Sequence, residues 1–278
     1  MTGTDLELLL PGAIRASEQA PPRRLSSRAR LGILTVGALV LLWWLVASLR
    51  LVPPLFLPSP IDVMGKLGDV AVHGFADATL AQHLAASLAR IGAALIAAVA
   101  IGVPVGLAMG LSRTARGIFD PLIEFYRPIP PLAYLPLVII WFGIGEVAKT
   151  LLIYLAAFAP IAIATAAGVR GVPESRLNAA RSLGATRLQL VIHVVLPNTL
   201  PDILTGIRIG LGTGWSTLVA AELVAATRGL GFMIQSASQF LVTDVVVMGI
   251  LVIAVVAFAL ELAIRFVQRL LVPWQGRG

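Results

Sequence analysis

The chain contains apolar runs that are too long for the core helices of a water-soluble domain. The first extends from Leu31 to Leu49, and as a helix it spans about 28 Å, enough to cross a hydrocarbon core of about 30 Å. Charged residues make up 13% of the 278 residues, whereas a soluble domain has about 25%. The sequence therefore predicts an all-α polytopic membrane protein.

Five further apolar runs predict a bundle of six transmembrane helices. The first run is too long for the apolar region of a signal peptide, and we expect it to be retained as a span. The other runs lie at Arg90–Leu111, Ile118–Phe142, Thr150–Val169, Leu200–Ala226 and Asp244–Val267.

This pattern divides the chain into five segments. An even number of crossings places both termini on one side of the membrane. The predicted segments are a basic cytoplasmic N-terminal tail (1–30), a first transmembrane helix (31–49), a periplasmic segment (50–80), a core of five transmembrane helices (81–270) and a cytoplasmic C-terminal tail (271–278).

The basic residues are distributed unequally between the two predicted sides. When the N-terminal tail is cytoplasmic, most of the 21 Lys and Arg residues fall on its side, and only Arg50, Lys66, Lys149 and Arg228 fall on the other. Such a bias indicates orientation in a membrane. It accounts for the net charge of +7 without a nucleic-acid partner. We therefore expect a multi-pass protein of a bacterial inner membrane, with lipid as its surroundings.

The periplasmic segment contains one predicted helix. Ser59 has the chemistry of an N-cap, and Pro60 suits the first helical position. Apolar residues recur at three-residue spacing from Ile61 to Val70, as in an amphipathic helix at a membrane interface. An ordinary solvated loop helix fits the same pattern, and the sequence leaves both readings open.

Two predicted spans carry glycines at every fourth position. They are Gly102, Gly106 and Gly110 in the second span, and Gly206, Gly210 and Gly214 in the fifth. Small residues at this spacing let helices approach closely in lipid. We interpret both ridges as packing surfaces.

The third span has a sequence that a regular helix cannot accommodate. Prolines crowd the stretch from Tyr126 to Pro131, and each one removes a backbone donor. Irregular backbone at membrane depth is tolerated where it is buried in protein or lines a watery cavity. This favours a translocation path there. The alternative is that Glu124 and Arg127 simply pair near a helix end.

Glu222 is the other ionisable residue inside an apolar run. A charge at membrane depth requires a partner, and we expect Glu222 to face the protein interior and pair with a buried base or backbone donor, Arg127 being one candidate. The candidate translocation path comprises Tyr126, Arg127, Pro130, Trp215, Ser216 and Glu222.

Several site chemistries find no support in the sequence. The chain has no cysteine, and its three histidines, His73, His83 and His193, are dispersed. We expect them to be surface or interface residues, and we assign no metal site and no catalytic residue. No G-x-x-x-x-G-K-[ST] phosphate loop occurs. We therefore predict no ATPase site and no bound cofactor in this chain.

The loop after the fourth span has a defined helical pattern. Pro173 opens a predicted helix, Glu174 suits its first turn, and Gly184 can close it in left-handed geometry. A second helical piece is predicted to end at Leu196 and Pro197.

The same loop resembles the signature loop of binding-protein-dependent ABC permeases. The family pattern is Glu-Ala-Ala, three residues, Gly, nine residues, Ile, one residue, Leu-Pro. All spacings match, although Asn replaces Glu and Val replaces Ile. The Asn puts a charge contact to the ATPase in doubt. The residues that the resemblance assigns to ATPase coupling are Asn178, Ala179, Ala180, Gly184, Val194, Leu196 and Pro197.

The resemblance extends from about Leu31 to Trp274 and points to the nitrate, sulfonate and taurine branch of the family. Motifs such as Gly206–Gly210, Gly214–Glu222 and Arg228–Met233 carry the likeness to this branch. The resemblance implies a type I importer permease fold with a short cytoplasmic coupling helix. It also implies a homodimer of permeases, two ATP-binding subunits that use the ATP, and a periplasmic substrate-binding protein.

The solute implied by the branch is taurine or a related small sulfonate. Alkanesulfonates and anions of the nitrate or bicarbonate type are the alternatives within the family. An ion-gradient-driven secondary transporter is the alternative from a different class. Internal repeats would favour that class, and we detect none.

Overall fold

The computed structural model describes residues 27–273. Residues 1–26 and 274–278, and with them most of the predicted N-terminal tail and the end of the C-terminal one, lie outside the described residues. Within the described range, all extended regular elements are helical. This agrees with the prediction of an all-α membrane protein.

The first of two compact units ends at Leu51 and contains helix α1 (Ser27–Ser48). Its apolar side chains are exposed on every side, for example Leu34, Leu39 and Leu42. A helix that is apolar all round is typical of a membrane span. Its continuous apolar stretch is Leu34–Ser48, within the predicted first span.

The second unit runs from Val52 onwards, and its described residues form ten α-helices, one 3₁₀ turn and one π-helical turn. Among the residues that the structure describes, four segments are long and apolar enough to cross a membrane: α3, α6, the continuous segment formed by α8 and α9, and α11. The helices are α2 (Pro60–Val72), α3 (Leu80–Leu111), α4 (Arg113–Tyr126), α5 (Leu135–Phe142), α6 (Glu146–Arg170), α7 (Glu174–Ser182), α8 (Arg187–Leu190), α9 (Leu196–Ala225), α10 (Leu230–Gln239) and α11 (Thr243–Leu271).

The predicted third span is broken into separate pieces. The span predicted over Ile118–Phe142 is not one continuous helix, because α4 ends at Tyr126 and α5 begins only at Leu135. A single 3₁₀ turn, Pro131–Ala133, lies between them. The irregular backbone itself is as the prolines predict.

Helix α2 begins with the predicted cap. The Ser59 hydroxyl accepts a hydrogen bond from the Asp62 N–H (3.2 Å), and the Asp62 carboxylate accepts one from the Ser59 N–H (3.2 Å), which completes a capping box. Val63 and Val70 are buried, whereas Ile61 and Met64 are exposed. A helix with exposed apolar residues beside charged ones suits a membrane interface.

The Asp69 carboxylate of α2 forms hydrogen bonds with two neighbouring bases. Asp69 accepts hydrogen bonds from Lys66 Nζ (3.2 Å) and His73 Nδ1 (2.9 Å). These two bases lower the pKa of the Asp69 carboxyl below its usual value.

Helix α6 is the centre of the bundle, and the two glycine ridges pack against it. A Cβ atom added at Gly106 of α3 would lie 2.5 Å from the Ala162 carbonyl oxygen of α6. On α9, a Cβ atom added at Gly206 would lie 2.7 Å from the Ala164 Cβ atom of α6. The predicted role of the glycines is therefore confirmed: they let α3 and α9 approach the α6 backbone from two sides.

The close contact at Gly106 predicts a large effect of a single methyl group. Gly106→Ala should destabilise the protein by about 1–3 kcal/mol, because neither the α6 carbonyl nor Thr165 can move away freely. The measurement is the free energy of unfolding in mixed detergent micelles.

Gly92→Ala on the same helix is the matched control. No atom lies within 4 Å of a Cβ at Gly92, and the change should be neutral or mildly stabilising. Equal destabilisation by the two substitutions would contradict this account of α3–α6 packing.

Candidate functional site

A cavity of about 390 Å³ lies beside the middle of α6. The broken segment between α4 and α5 forms one wall, and α6 and α9 form the others. The lining residues are Tyr126, Arg127, Ile129, Pro131, Tyr134, Leu155, Ala156, Ala159, Pro160, Gly212, Thr213, Ser216 and Thr217.

Pro160 of α6 leaves one backbone carbonyl beside the cavity without its usual helical hydrogen bond. Pro160 lacks an N–H, so the carbonyl four residues earlier, that of Ala156, loses its usual helical donor. The Thr213 hydroxyl of α9 donates to this carbonyl (3.0 Å), and the Tyr126 hydroxyl donates to the neighbouring Leu155 carbonyl (3.3 Å). Hydrogen bonds to backbone carbonyls of α6 thus join the three walls.

The cavity contains half of the residues that the sequence assigned to a path. Tyr126, Arg127 and Ser216 line it, and Arg127 is its single cationic lining residue. Within residues 27–273, Arg127 forms no ion pair, so the alternative pairing of Glu124 with Arg127 is not observed.

The other three predicted path residues lie outside this cavity lining. Pro130 caps the 3₁₀ turn beside it. Trp215 is buried, and its indole N–H has no acceptor among the described residues. Glu222 is completely buried elsewhere in α9.

Glu222 pairs with Arg90, so the proposed pairing with Arg127 is wrong. Arg90 Nη1 donates to Glu222 Oε1 at 2.6 Å and to the Arg228 carbonyl at 2.7 Å. The other two guanidinium nitrogens of Arg90 bind Glu146, with Nε–Oε2 and Nη2–Oε1 distances of 2.6 and 2.9 Å. The expectation that Glu222 faces the interior toward a buried base is confirmed.

The Glu222 carboxylate has two further donors. The Ser87 hydroxyl lies 2.8 and 2.9 Å from its two oxygens, and the Gly231 N–H lies 2.9 Å from Oε2. Gly231 is in the first turn of α10, where free N–H groups favour a negative charge. The buried charge is therefore fully compensated by charge and hydrogen bonds.

Gly229 makes this arrangement possible. Its φ of +138° is a conformation that L side chains rarely adopt, and an added Cβ atom would lie 2.5 Å from both Glu222 carboxylate oxygens. Its N–H donates to His83 Nδ1 (3.1 Å). Since Nδ1 accepts, His83 carries its proton on Nε2 and donates it to the Phe75 carbonyl (2.9 Å). His83 is thus a buried structural residue rather than a surface one.

Sequence reasoning missed Arg90, Glu146 and Lys149 as members of one network. Lys149 is buried and donates to Glu146 Oε1 at 2.7 Å. The predicted spans began at Arg90 and after Lys149, so these residues were assigned to membrane edges. In the structure α3 begins at Leu80 and α6 at Glu146, which places both bases inside helices. We use the name charge network for Ser87, Arg90, Glu146, Lys149 and Glu222.

The predicted coupling residues lie on an exposed helix. Asn178, Ala179 and Ala180 are in α7, a nine-residue helix that contains no buried residue. Gly184 has φ +80°. The Gly184 N–H donates to the Arg181 carbonyl and the Ala185 N–H to the Ala180 carbonyl. This is the left-handed helix end that the sequence predicted.

Helix α7 is attached to the bundle through one half-buried residue and one side-chain hydrogen bond. Leu177 packs against the cluster of Val169, Val172 and Val195. In addition, the Arg176 guanidinium donates to the Asn198 side-chain oxygen of α9. Helix α7 is therefore joined to the first turn of α9.

The second helical piece does not end at Leu196 and Pro197, contrary to the prediction. Helix α8 continues through a π-helical turn, Val191–Val195, into α9. In this turn the Leu196 N–H donates to the Val191 carbonyl, five residues back. The wider turn accommodates Pro197 at the start of α9, where its missing N–H is tolerated. Val194, Leu196 and Pro197 thus lie within one long helical segment.

No metal-binding arrangement is found among residues 27–273. No group of three or more His, Asp or Glu side chains there is placed to hold a metal ion.

The chain belongs to the family of binding-protein-dependent transport system inner membrane components, which matches residues 84–276. It is 63% identical over 253 residues to the taurine transport system permease protein of Escherichia coli, covering 91% of this chain and 92% of that protein. An Escherichia coli protein named for the transport of aliphatic sulfonates is 40% identical over 241 residues, covering 87% and 90% of the two chains.

A solved structure shows the same fold. The methionine ABC transporter in an inward-facing conformation matches with a TM-score of 0.62 at 22% sequence identity. The match covers 69% of this chain and 95% of the other. The fold is therefore that of a type I ABC importer permease.

The charge network predicts that its one fully buried carboxylate is essential for stability. Glu222→Gln should lower the free energy of unfolding by about 1–3 kcal/mol, because Arg90 keeps Glu146 but loses its fully buried counter-charge, and Ser87 and Gly231 lose a carboxylate acceptor. The measurement is denaturation of the purified protein in mixed micelles.

Glu261→Gln is the matched control, since Glu261 also pairs with an arginine, Arg265, at 2.8 Å, but on the exposed surface of α11. Its loss should cost no more than about 0.5 kcal/mol. If the two substitutions cost the same, the charge network does not stabilise the bundle.

Proposed function

We propose that this chain is the membrane subunit of an importer that carries taurine or a related small sulfonate, driven by ATP hydrolysis in separate subunits. The strongest support for this proposal is the sequence and position of α7. This short polar helix carries the Asn-Ala-Ala and Gly spacing of the family, lies outside the bundle, and is joined to α9 through Arg176 and Asn198. Such a helix suits a contact that transmits force.

The proposed assembly contains two copies of this chain, two ATP-binding subunits and a periplasmic binding protein. Both termini and α7 face the cytoplasm of a bacterial cell, and the charge network lies on the periplasmic side. The unequal distribution of Lys and Arg supports this orientation. The chain itself binds no cofactor, and the ATP is used by the partner subunits.

In this proposal, closure of the ATP-binding subunits moves the two α7 helices. The movement is passed to α9 and changes access to the cavity beside α6. Asn178 offers an amide where the family has a carboxylate, and its oxygen already accepts a hydrogen bond from Arg181 (3.0 Å). Contact with the ATPase would therefore rely on shape and on the small Ala179 and Ala180 side chains rather than on a negative charge.

The cavity supports the choice of an anionic solute. Arg127 provides a positive charge at its wall, and Thr213, Ser216 and Thr217 provide hydroxyl groups. A guanidinium binds a sulfonate through parallel hydrogen bonds, as it binds carboxylate or phosphate. We propose that Tyr126, Arg127 and Ser216 border the path and that Pro130 and Trp215 shape its wall. Glu222 holds the helices in place.

The proposal predicts ATP-dependent uptake of a sulfonate. Vesicles containing the whole transporter should accumulate labelled taurine when ATP is supplied and the proton gradient is collapsed. Excess alkanesulfonate or nitrate measures the order of preference among the family's solutes. Uptake that requires the proton gradient and does not depend on ATP would instead indicate a secondary transporter.

The coupling role of α7 predicts a separation of uptake from assembly. Ala180→Arg and Gly184→Asp should abolish uptake, because each places a bulky or charged group on the proposed contact surface, while membrane insertion stays normal. The measurements are vesicle uptake and the amount of protein in the membrane fraction. Ala71→Arg, which adds the same charge to the exposed side of α2, is the control and should transport normally. Normal uptake by either α7 variant would refute the assignment.

A further inference from the structure

Three arginines form a basic pocket between α9 and α11, away from the cavity and the charge network. The pocket has a volume of about 310 Å³ and is lined by Arg208, Arg265, Gln268, Arg269 and Val272. Arg208 comes from α9, and the others come from the last turns of α11 or directly follow it. We call this set the basic pocket.

The positive charge of the basic pocket is only partly neutralised by the protein. Arg265 donates to Glu261 Oε1 from Nε (3.1 Å) and Nη2 (2.8 Å). Within the part of the chain that the structure describes, neither Arg208 nor Arg269 forms an ion pair. Two guanidinium groups thus remain without a counter-charge in a concave site.

The depth of Arg208 makes the missing counter-charge costly. Arg208 lies between Ile207 and Ile209 in the apolar part of α9 and is half-buried. An arginine at such a position is unfavourable unless it is paired or reaches the polar interface. An external anion in the pocket would remove this cost.

The surroundings indicate what kind of anion fits. Apolar side chains next to the pocket are exposed, among them Phe266 (62%), Leu262 (48%) and Ile209 (50%). A ligand with an anionic oxygen-rich head and apolar chains would satisfy both surfaces. At the inner end of two spanning helices, membranes supply such ligands as anionic phospholipids.

We infer that the basic pocket binds the phosphate group of an anionic phospholipid from the cytoplasmic leaflet. Arg208 and Arg269 bind the phosphate oxygens, and the acyl chains lie along the exposed apolar residues of α11 and α9. The inference rests on the cytoplasmic placement of the C-terminus proposed above. The bound lipid would fix the end of α11 against α9, the helix that we propose to move with α7.

The test uses the purified full-length chain in detergent and measures its thermal unfolding by tryptophan fluorescence. Phosphatidylglycerol should raise the unfolding midpoint, and phosphatidylcholine should not. In Arg208→Gln and in Arg269→Gln, the apparent Kd for phosphatidylglycerol should each rise about fivefold, the effect of one basic residue at an anionic surface.

Arg113→Gln is the matched control. Arg113 is an exposed arginine at the start of α4, outside the basic pocket, and its removal should leave the phosphatidylglycerol affinity unchanged. Equal stabilisation by the two lipids would overturn the inference. So would a phosphatidylglycerol effect that is the same in the wild type and both pocket variants.

A free oxoanion could occupy the basic pocket in place of a lipid phosphate group. Methanesulfonate, which has no acyl chains, distinguishes these two ligands. If methanesulfonate alone stabilises the protein, and the pocket substitutions remove that effect while phosphatidylglycerol has none, the site belongs to a free anion and the lipid assignment is wrong. The assay requires neither ATP nor partner subunits. Its failure therefore does not affect the importer proposal, and a failure of taurine uptake does not affect the lipid site.

Discussion

The bundle depends on how it accommodates charge in an apolar environment. Glu222 is completely buried, yet it lies 2.6 Å from Arg90 and accepts hydrogen bonds from Ser87 and Gly231. A buried ion pair offsets its desolvation only when its remaining hydrogen-bonding capacity is also satisfied. That requirement fixes α3, α6, α9 and the start of α10 relative to one another. It also explains why a glycine with positive φ must stand at position 229.

The two ends of the bundle have different mechanical properties. At one end, the helices are held by the ion pairs of the charge network, and the glycine ridges bring α3 and α9 against the middle and the second half of α6. At the other end, α7 has no buried residue and is attached through Leu177 and the Arg176–Asn198 contact. One end is therefore suited to remain rigid, and the other is suited to transmit a displacement. The cavity lies between them, beside the break in α6 hydrogen bonding at Pro160.

Local sequence patterns predicted much of this structure, but they could not predict contacts between residues that are far apart in the sequence. The cap at Ser59, the helix end at Gly184 and both glycine ridges follow from the chemistry of neighbouring residues, and they were predicted correctly. The pair of Arg90 and Glu222 joins residues 132 positions apart, and no local signal specifies such a partner. The continuation of α8 into α9 was missed because Pro197 was interpreted as a helix stop, whereas in the structure it follows a π-helical turn at the start of α9.

We propose that α7 moves with the ATP cycle and carries α9 with it. Because the chain contains no cysteine, a spin label can be attached at a single site in Ala179→Cys. Double electron–electron resonance can then measure the distance between the labels on the two copies of this chain in the reconstituted transporter. We expect one defined distance without nucleotide and a shorter one when ATP is trapped. The same distance in both states, in a transporter that still takes up its solute, would contradict the account.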